Sequence, residues 1–79
     1  MAWRIKHTPT GRWFGHPDRS VSAAIAHIKN VYIDINLNEF KAGTSSGRGK
    51  IWTSKIWAEK AFEELKRVSN PKDWELVEI

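Results

Sequence analysis

An α+β fold, a two-layer sandwich with two helices packed on one face of an antiparallel or mixed sheet, is what this sequence predicts. Three observations lead there. Stretches of two-residue apolar alternation are interleaved with stretches whose apolar residues recur at i, i+3, i+4 and i+7, so strands and helices are mixed along the chain. Turn-forming residues separate them, with Thr8-Pro9-Thr10-Gly11 near the start and G-T-S-S-G-R-G-K over residues 43–50. The 79 residues contain no cysteine. They make a single domain, residues 1–79, held by apolar burial without disulfides or thiolate-bound zinc. The expected order is β-β-α-β-β-α-β.

Residues 2–7 alternate, Trp3 and Ile5 on one side and Arg4 and Lys6 on the other, which is strand periodicity with a cationic outer face. After the Thr-Pro-Thr-Gly turn, Arg12-Trp13-Phe14 resumes the extended pattern, so residues 2–15 read as a hairpin. Asp18 or Ser20 caps a helix carrying Val21, Ala24, Ile25 and Ile28 and ending near Asn30. Residues 31–40 then switch period: Val31, Ile33, Ile35 and Leu37 alternate with Tyr32, Asp34, Asn36 and Asn38. That predicts a strand, central in the sheet, with a β-branched buried face. Residues 42–49 are a flexible loop by composition, and residues 50–52 a short strand pairing back onto 39–41. Thr53 or Ser54 caps the second helix, whose stripe is Trp57, Ala58, Ala61, Phe62, Leu65 and Val68. Residues 69–73 end it, and residues 74–79 close the chain as a strand. Trp3, Trp57 and Trp74 are expected in the core, whereas Trp13 and Trp52 fit either core or surface.

The formal net charge of +4 is unevenly spread. Residues 1–58 hold 9 cations against 3 anions, and residues 59–79 hold 4 against 6. Such a basic domain suggests a polyanion partner, nucleic acid first and an acidic protein next. No apolar run approaches the roughly 20 residues of a membrane span, and the first residues lack the apolar core of a signal peptide. A cytoplasmic protein with no membrane partner is therefore expected, and a chain this small also invites a homodimer.

Catalytic and metal chemistry find little footing. The stretch from Gly43 departs from the phosphate-loop pattern G-x-x-x-x-G-K-[ST], because its sixth residue is Arg48 and Ile51 follows Lys50. His7, His16 and His27 are scattered over different elements, which reads as three surface histidines. No serine sits in a nucleophile motif, and Glu63 and Glu64 are adjacent on a helix, where they point apart. The reading is non-enzymatic, without cofactor or metal. What remains is a basic constellation: Arg48 and Lys50 between glycines, Lys55 in the first turn of a helix where the macrodipole disfavours a cation, and Arg12, Lys6 and Arg4 on the hairpin. Trp52, with Trp13, is placed among them to stack on unpaired bases, which favours single-stranded RNA or DNA over duplex.

The stretches R-I-K-H-T-P-T-G-R-W-F, G-K-I-W-T-S-K-I-W-A-E-K-A-F and W-E-L-V-E-I cover residues 4–14, 49–62 and 74–79. Together they resemble a pattern of small bacteriophage accessory proteins: a hairpin with a Thr-Gly turn, a Gly-basic-apolar-Trp strand, an Ala-rich helix and a closing strand. The resemblance implies a context of host takeover or of blocking defence systems by binding, and carries over no functional residue. One class of such proteins, inhibitors of toxin–antitoxin abortive-infection nucleases, includes small basic proteins that act with RNA, and this chain is similar in size and charge. The leading expectation is an RNA- or single-stranded-DNA-binding module that inhibits a host nuclease, toxin or defence complex. The alternative is a protein–protein inhibitor of a host enzyme without nucleic-acid contact.

Overall fold

A computed structural model describes residues 1–33 and 37–79 of the chain. Strand β1 (Trp3–His7) and strand β2 (Trp13–Phe14) form the first hairpin. Helices α1 (Val21–Ile33) and α2 (Leu37–Gly43) lead into β3 (Thr44–Ser45), and helix α3 (Lys55–Val68), a 3-10 turn over Pro71–Asp73 and β4 (Trp74–Glu78) follow. The strands make one antiparallel sheet in the order β3-β2-β1-β4. The α+β class expected from the sequence is the one observed. Among the described residues no helix is long and apolar enough to cross a membrane.

β1 is the organising strand. It pairs with β4 along its whole length, from Trp3↔Glu78 to His7↔Trp74. Its other edge is shared, with Lys6 opposite Trp13 of β2 and Trp3 exchanging both backbone hydrogen bonds with Trp52 at 2.8 and 2.9 Å. The hairpin turn is as expected, with Gly11 at φ 73° and its N–H donating to the His7 carbonyl.

Strand alternation sends Ile5 and His7 to one face, where both are buried, and Arg4 and Lys6 to the other. Phe14, Thr44, Trp52 and Trp74 join the inner face, and Ala24, Ile28, Phe40, Ala58, Ala61 and Leu65 come down on it from the helices. The helices thus lie on one side of the sheet, and the opposite side is open.

Five expectations are corrected. The strand placed over residues 31–40 is helical where described: residues 31–33 finish α1 and residues 37–40 open α2. Residues 34–36 lie outside the described residues. Val31 stands two turns beyond Ala24 and packs on the core with it, so one helical stripe absorbs a residue that also fits two-residue alternation. In place of the expected 31–40 strand the sheet gains β3, inside the stretch read as a loop, and Trp52 bridges to β1, not to residues 39–41.

Trp57, expected in the core, is 62 % exposed. Ala58, Ala61 and Leu65 are the buried residues of α3. The small alanines let the helix axis approach the sheet, and the rotation that seats Ala58 carries its large neighbour outward. Finally, His7 is buried, with Nδ1 at 2.8 Å from the Thr10 hydroxyl and its ring against Phe40 and Trp74.

Polar side chains close the joints. The wholly buried Thr44 donates its hydroxyl to the Phe40 carbonyl at 2.8 Å and accepts from Arg12 Nε at 2.8 Å. Arg12 Nη2 also donates to the Thr44 carbonyl at 3.1 Å. Ser20 caps α1, its Oγ accepting from the Ala23 N–H. Ser54 occupies the N-cap of α3 without a side-chain cap bond. The Ser69 hydroxyl bonds to the Leu65 carbonyl and accepts from the Trp74 indole N–H, joining α3 to β4.

Two substitutions test this packing. A Cβ at Gly43 would stand 2.9 Å from the Ala24 carbonyl oxygen and 2.9 Å from Ile28 Cδ1. Gly43→Ala therefore costs about 1–3 kcal/mol, read as a lower urea midpoint. Thr44→Val keeps the shape but strips partners from Arg12 Nε and the Phe40 carbonyl, and a loss of about 1–3 kcal/mol is expected in the same titration.

Candidate nucleic-acid interface

The open sheet face is built by alternation and register alone. Arg4 stands opposite Val77, Lys6 opposite Glu75 on one side and Trp13 on the other, and Trp13 opposite Ser45. These side chains share the face turned away from the helices. Trp13 is its aromatic centre. The Arg4 guanidinium lies on the indole with Cζ 3.5 Å from the ring centroid, and Lys6 Nζ is 5.8 Å from it. Both contacts are within the range of cation–π attraction. Stacked this way, Arg4 Nε is buried and has no hydrogen-bond partner among the described residues, while Nη1 lies 3.5 Å from the Arg48 carbonyl oxygen.

The Gly/Ser stretch supplies the rim. Gly49, buried and at φ 69°, runs so close to Trp13 that a Cβ there would lie 2.6 Å from Trp13 Cβ and 2.8 Å from the Phe14 carbonyl oxygen. The Lys50 N–H donates to that same carbonyl at 2.8 Å, and Lys50 Cβ occupies the space that a side chain on Gly15 would need, at 2.9 Å. Residues 48–50 are thus seated against β2, and they deliver the exposed Arg48 to the edge of the face.

Of the cations and aromatics singled out in the sequence, the fold gathers Arg4, Lys6 and Arg48 around Trp13. Lys50 is half-buried at the rim. Arg12 is occupied by Thr44. Lys55 belongs to the helical layer, where its Nζ lies 3.8 Å from Glu59 one turn along α3, so the unfavourable first-turn cation is offset by its own helix. Trp52, placed among the stacking residues, is a core residue instead: it is 9 % exposed, and its ring lies parallel to Phe14 at 6.2 Å. Its bridge to Trp3 assigns it to the inner face, and Trp13 is the tryptophan that stands on the open face. A hairpin register carried across the Thr-Pro-Thr-Gly turn is the signal that could have placed Trp13 beside Lys6.

Among the described residues no ion pair engages Arg4, Lys6, Arg48 or Lys50. Glu75 stands across the ladder from Lys6. The face is therefore a cationic surface with one aromatic platform, suited to phosphates and flat rings. The histidines lie elsewhere. His16 Nε2 is 3.2 Å from the Lys41 carbonyl oxygen, and His27 pairs with Glu39 between α1 and α2. Comparison with protein-family models, curated proteins and solved structures finds no match for the chain.

His7 lies beneath the sheet, and its titration is displaced. Burial holds its pKa below the usual value, and Asp73, with Oδ2 4.0 Å from Nε2, offsets this in part. The unfolded chain then binds a proton that the folded chain resists. The contribution of His7 to stability is full above about pH 6.5 and is lost as pH falls from there through the lowered folded value. Urea midpoints between pH 7.5 and 5 should decline, and His7→Gln should flatten that decline.

Proposed function

We propose that the chain is a non-enzymatic binding protein for single-stranded nucleic acid, RNA before DNA, and that it binds through the open face of its sheet. The observation that carries this reading is the stack of Arg4 on Trp13, flanked by Lys6 and Arg48, on a helix-free face where no ion pair among the described residues holds these cations. Phosphates bind to the cations, and an unpaired base stacks on the outer plane of the Arg4 guanidinium, which the Trp13 indole supports from beneath. A duplex hides its base faces and would engage the cations only. In context, the reading is of a phage-encoded accessory protein acting in the host cytoplasm, where it inhibits a nuclease, toxin or defence complex that works on RNA.

Fluorescence anisotropy with a labelled single-stranded RNA, the matching DNA and a duplex tests the idea. Arg4→Glu combined with Arg48→Glu should abolish RNA binding while the circular dichroism stays native. Each phosphate contact removed should flatten the salt dependence by a slope of about 0.7 for single strands. Lys55→Glu, in the helical layer, should leave binding unchanged. RNA binding that survives the double charge reversal would overturn the reading.

A second reading has its own observation. An open groove of about 750 Å³ runs along α3, bordered by Ile56 and Trp57, which are 67 % and 62 % exposed. Lys60 Nζ lies 4.8 Å from the Trp57 ring centroid. Exposed apolar side chains rimmed by charge are the mark of a protein contact, as expected of an inhibitor that grips a host enzyme directly. Trp57→Ser should release such a partner and leave oligonucleotide binding intact.

A further inference from the structure

β4 is the outermost strand on its side of the sheet. Just beyond its end, Ala2 and Ile79 exchange backbone hydrogen bonds at 3.4 and 2.8 Å, and the Thr8 N–H donates to the Asp73 carbonyl at 2.8 Å. In an antiparallel ladder the bonding direction alternates. Glu75 and Val77 therefore turn their backbone groups toward β1, and Trp74, Leu76 and Glu78 turn theirs outward.

Such edges are ordinarily blunted by charged side chains, lysine above all, by proline, by a bulge or by extreme shortness. β4 carries Glu75 and Glu78 but no lysine, proline or bulge, and it runs five residues, W-E-L-V-E, in unbroken register with β1. Leu76 on the helical side and Val77 on the open side are both half-buried, so the edge has apolar groups on each face.

We propose that this edge is the interface of a homodimer, with β4 pairing antiparallel to β4 of a second copy about a two-fold axis through Leu76. Side-chain self-complementarity argues for a second copy and for this register. Centred on Leu76, the pairing sets Leu76 against its own counterpart, Glu75 against Val77 and Glu78 against Trp74. All three outward-facing residues are used, giving about six backbone hydrogen bonds. Centred on Glu75, it would oppose two carboxylates, which is destabilising. Centred on Val77, it would leave the outward groups of Trp74 unpaired.

The axis is normal to the sheet, so the dimer doubles the four-stranded sheet and keeps both open faces on one side. The two β1 strands then lie three strand spacings apart, about 14 Å. The dimer stands on the geometry of β4 and holds whether or not the open face binds nucleic acid.

Sedimentation velocity of the full chain over a range of concentrations tests it. The wild-type chain is expected to dimerise, and Val77→Glu, which sets two glutamates opposite each other twice per interface, should raise the dimer Kd about tenfold or more. In the monomer the new carboxylate sits beside Arg4, so native circular dichroism is expected. Adding Glu75→Lys to Val77→Glu should restore the dimer through a lysine–glutamate pair. Glu78→Pro, which removes an outward N–H and none of the bonds to β1, should give monomer by a second route. A wild-type monomer overturns the proposal. So does a dimer that resists both Val77→Glu and Glu78→Pro, including one that Trp57→Ser dissolves, which would place the contact on α3.

Discussion

The ladder between β1 and β4 is the constraint on which the rest of the structure depends. It joins segments more than sixty residues apart in the chain and is unbroken over five residues of each strand. Because strand side chains alternate, this one register decides two surfaces together. Ile5, His7 and Trp74 are committed to the helical side, and Arg4 and Lys6 to the open one. Slipping the pairing by a residue would exchange core and surface along the whole strand. The core and the cationic face are thus consequences of one hydrogen-bonding pattern.

The shared second edge of β1 brings in the middle of the chain. β2 takes one end and Trp52 the other, so the segment between α2 and α3 is drawn in alongside the hairpin. Gly43 against α1 and Gly49 against Trp13 are places where the backbone passes too close for a Cβ. Glycine-rich composition usually signals freedom, yet here it permits close packing. That is how a stretch with the composition of a flexible loop comes to hold Arg48 beside Arg4.

Charge follows the same layering. The cations of the open face meet an indole, a backbone carbonyl and solvent, whereas several charges of the helical layer are matched, Lys55 with Glu59 and Lys66 with Glu63. A guanidinium stacked on an indole keeps its outer plane available, so the stack orders the arginine without neutralising it. The acidic balance of residues 59–79 falls largely on α3 and β4. The exposed Ile56 and Trp57 add an apolar surface on the helical side, distinct from the cationic face in both chemistry and position.

By itself the sequence determined the α+β class, the first hairpin, the apolar stripe of α3 apart from Trp57, the closing strand and the cationic outer face of β1. Each rests on local periodicity or on turn chemistry carried by adjacent residues. Tertiary structure decided the rest. Residues 31–33 and 37–40 entered helices because packing on the sheet outweighs a β-branched alternation. Trp57 was turned outward and Trp52 inward by a helix rotation and a cross-sheet bridge that no local pattern encodes. The candidate cationic face was legible as residue types, with Arg4, Lys6 and Arg48 all named. Its centre at Trp13 was not, because the choice between Trp13 and Trp52 depends on which face each strand position takes, and only the assembled ladder sets that.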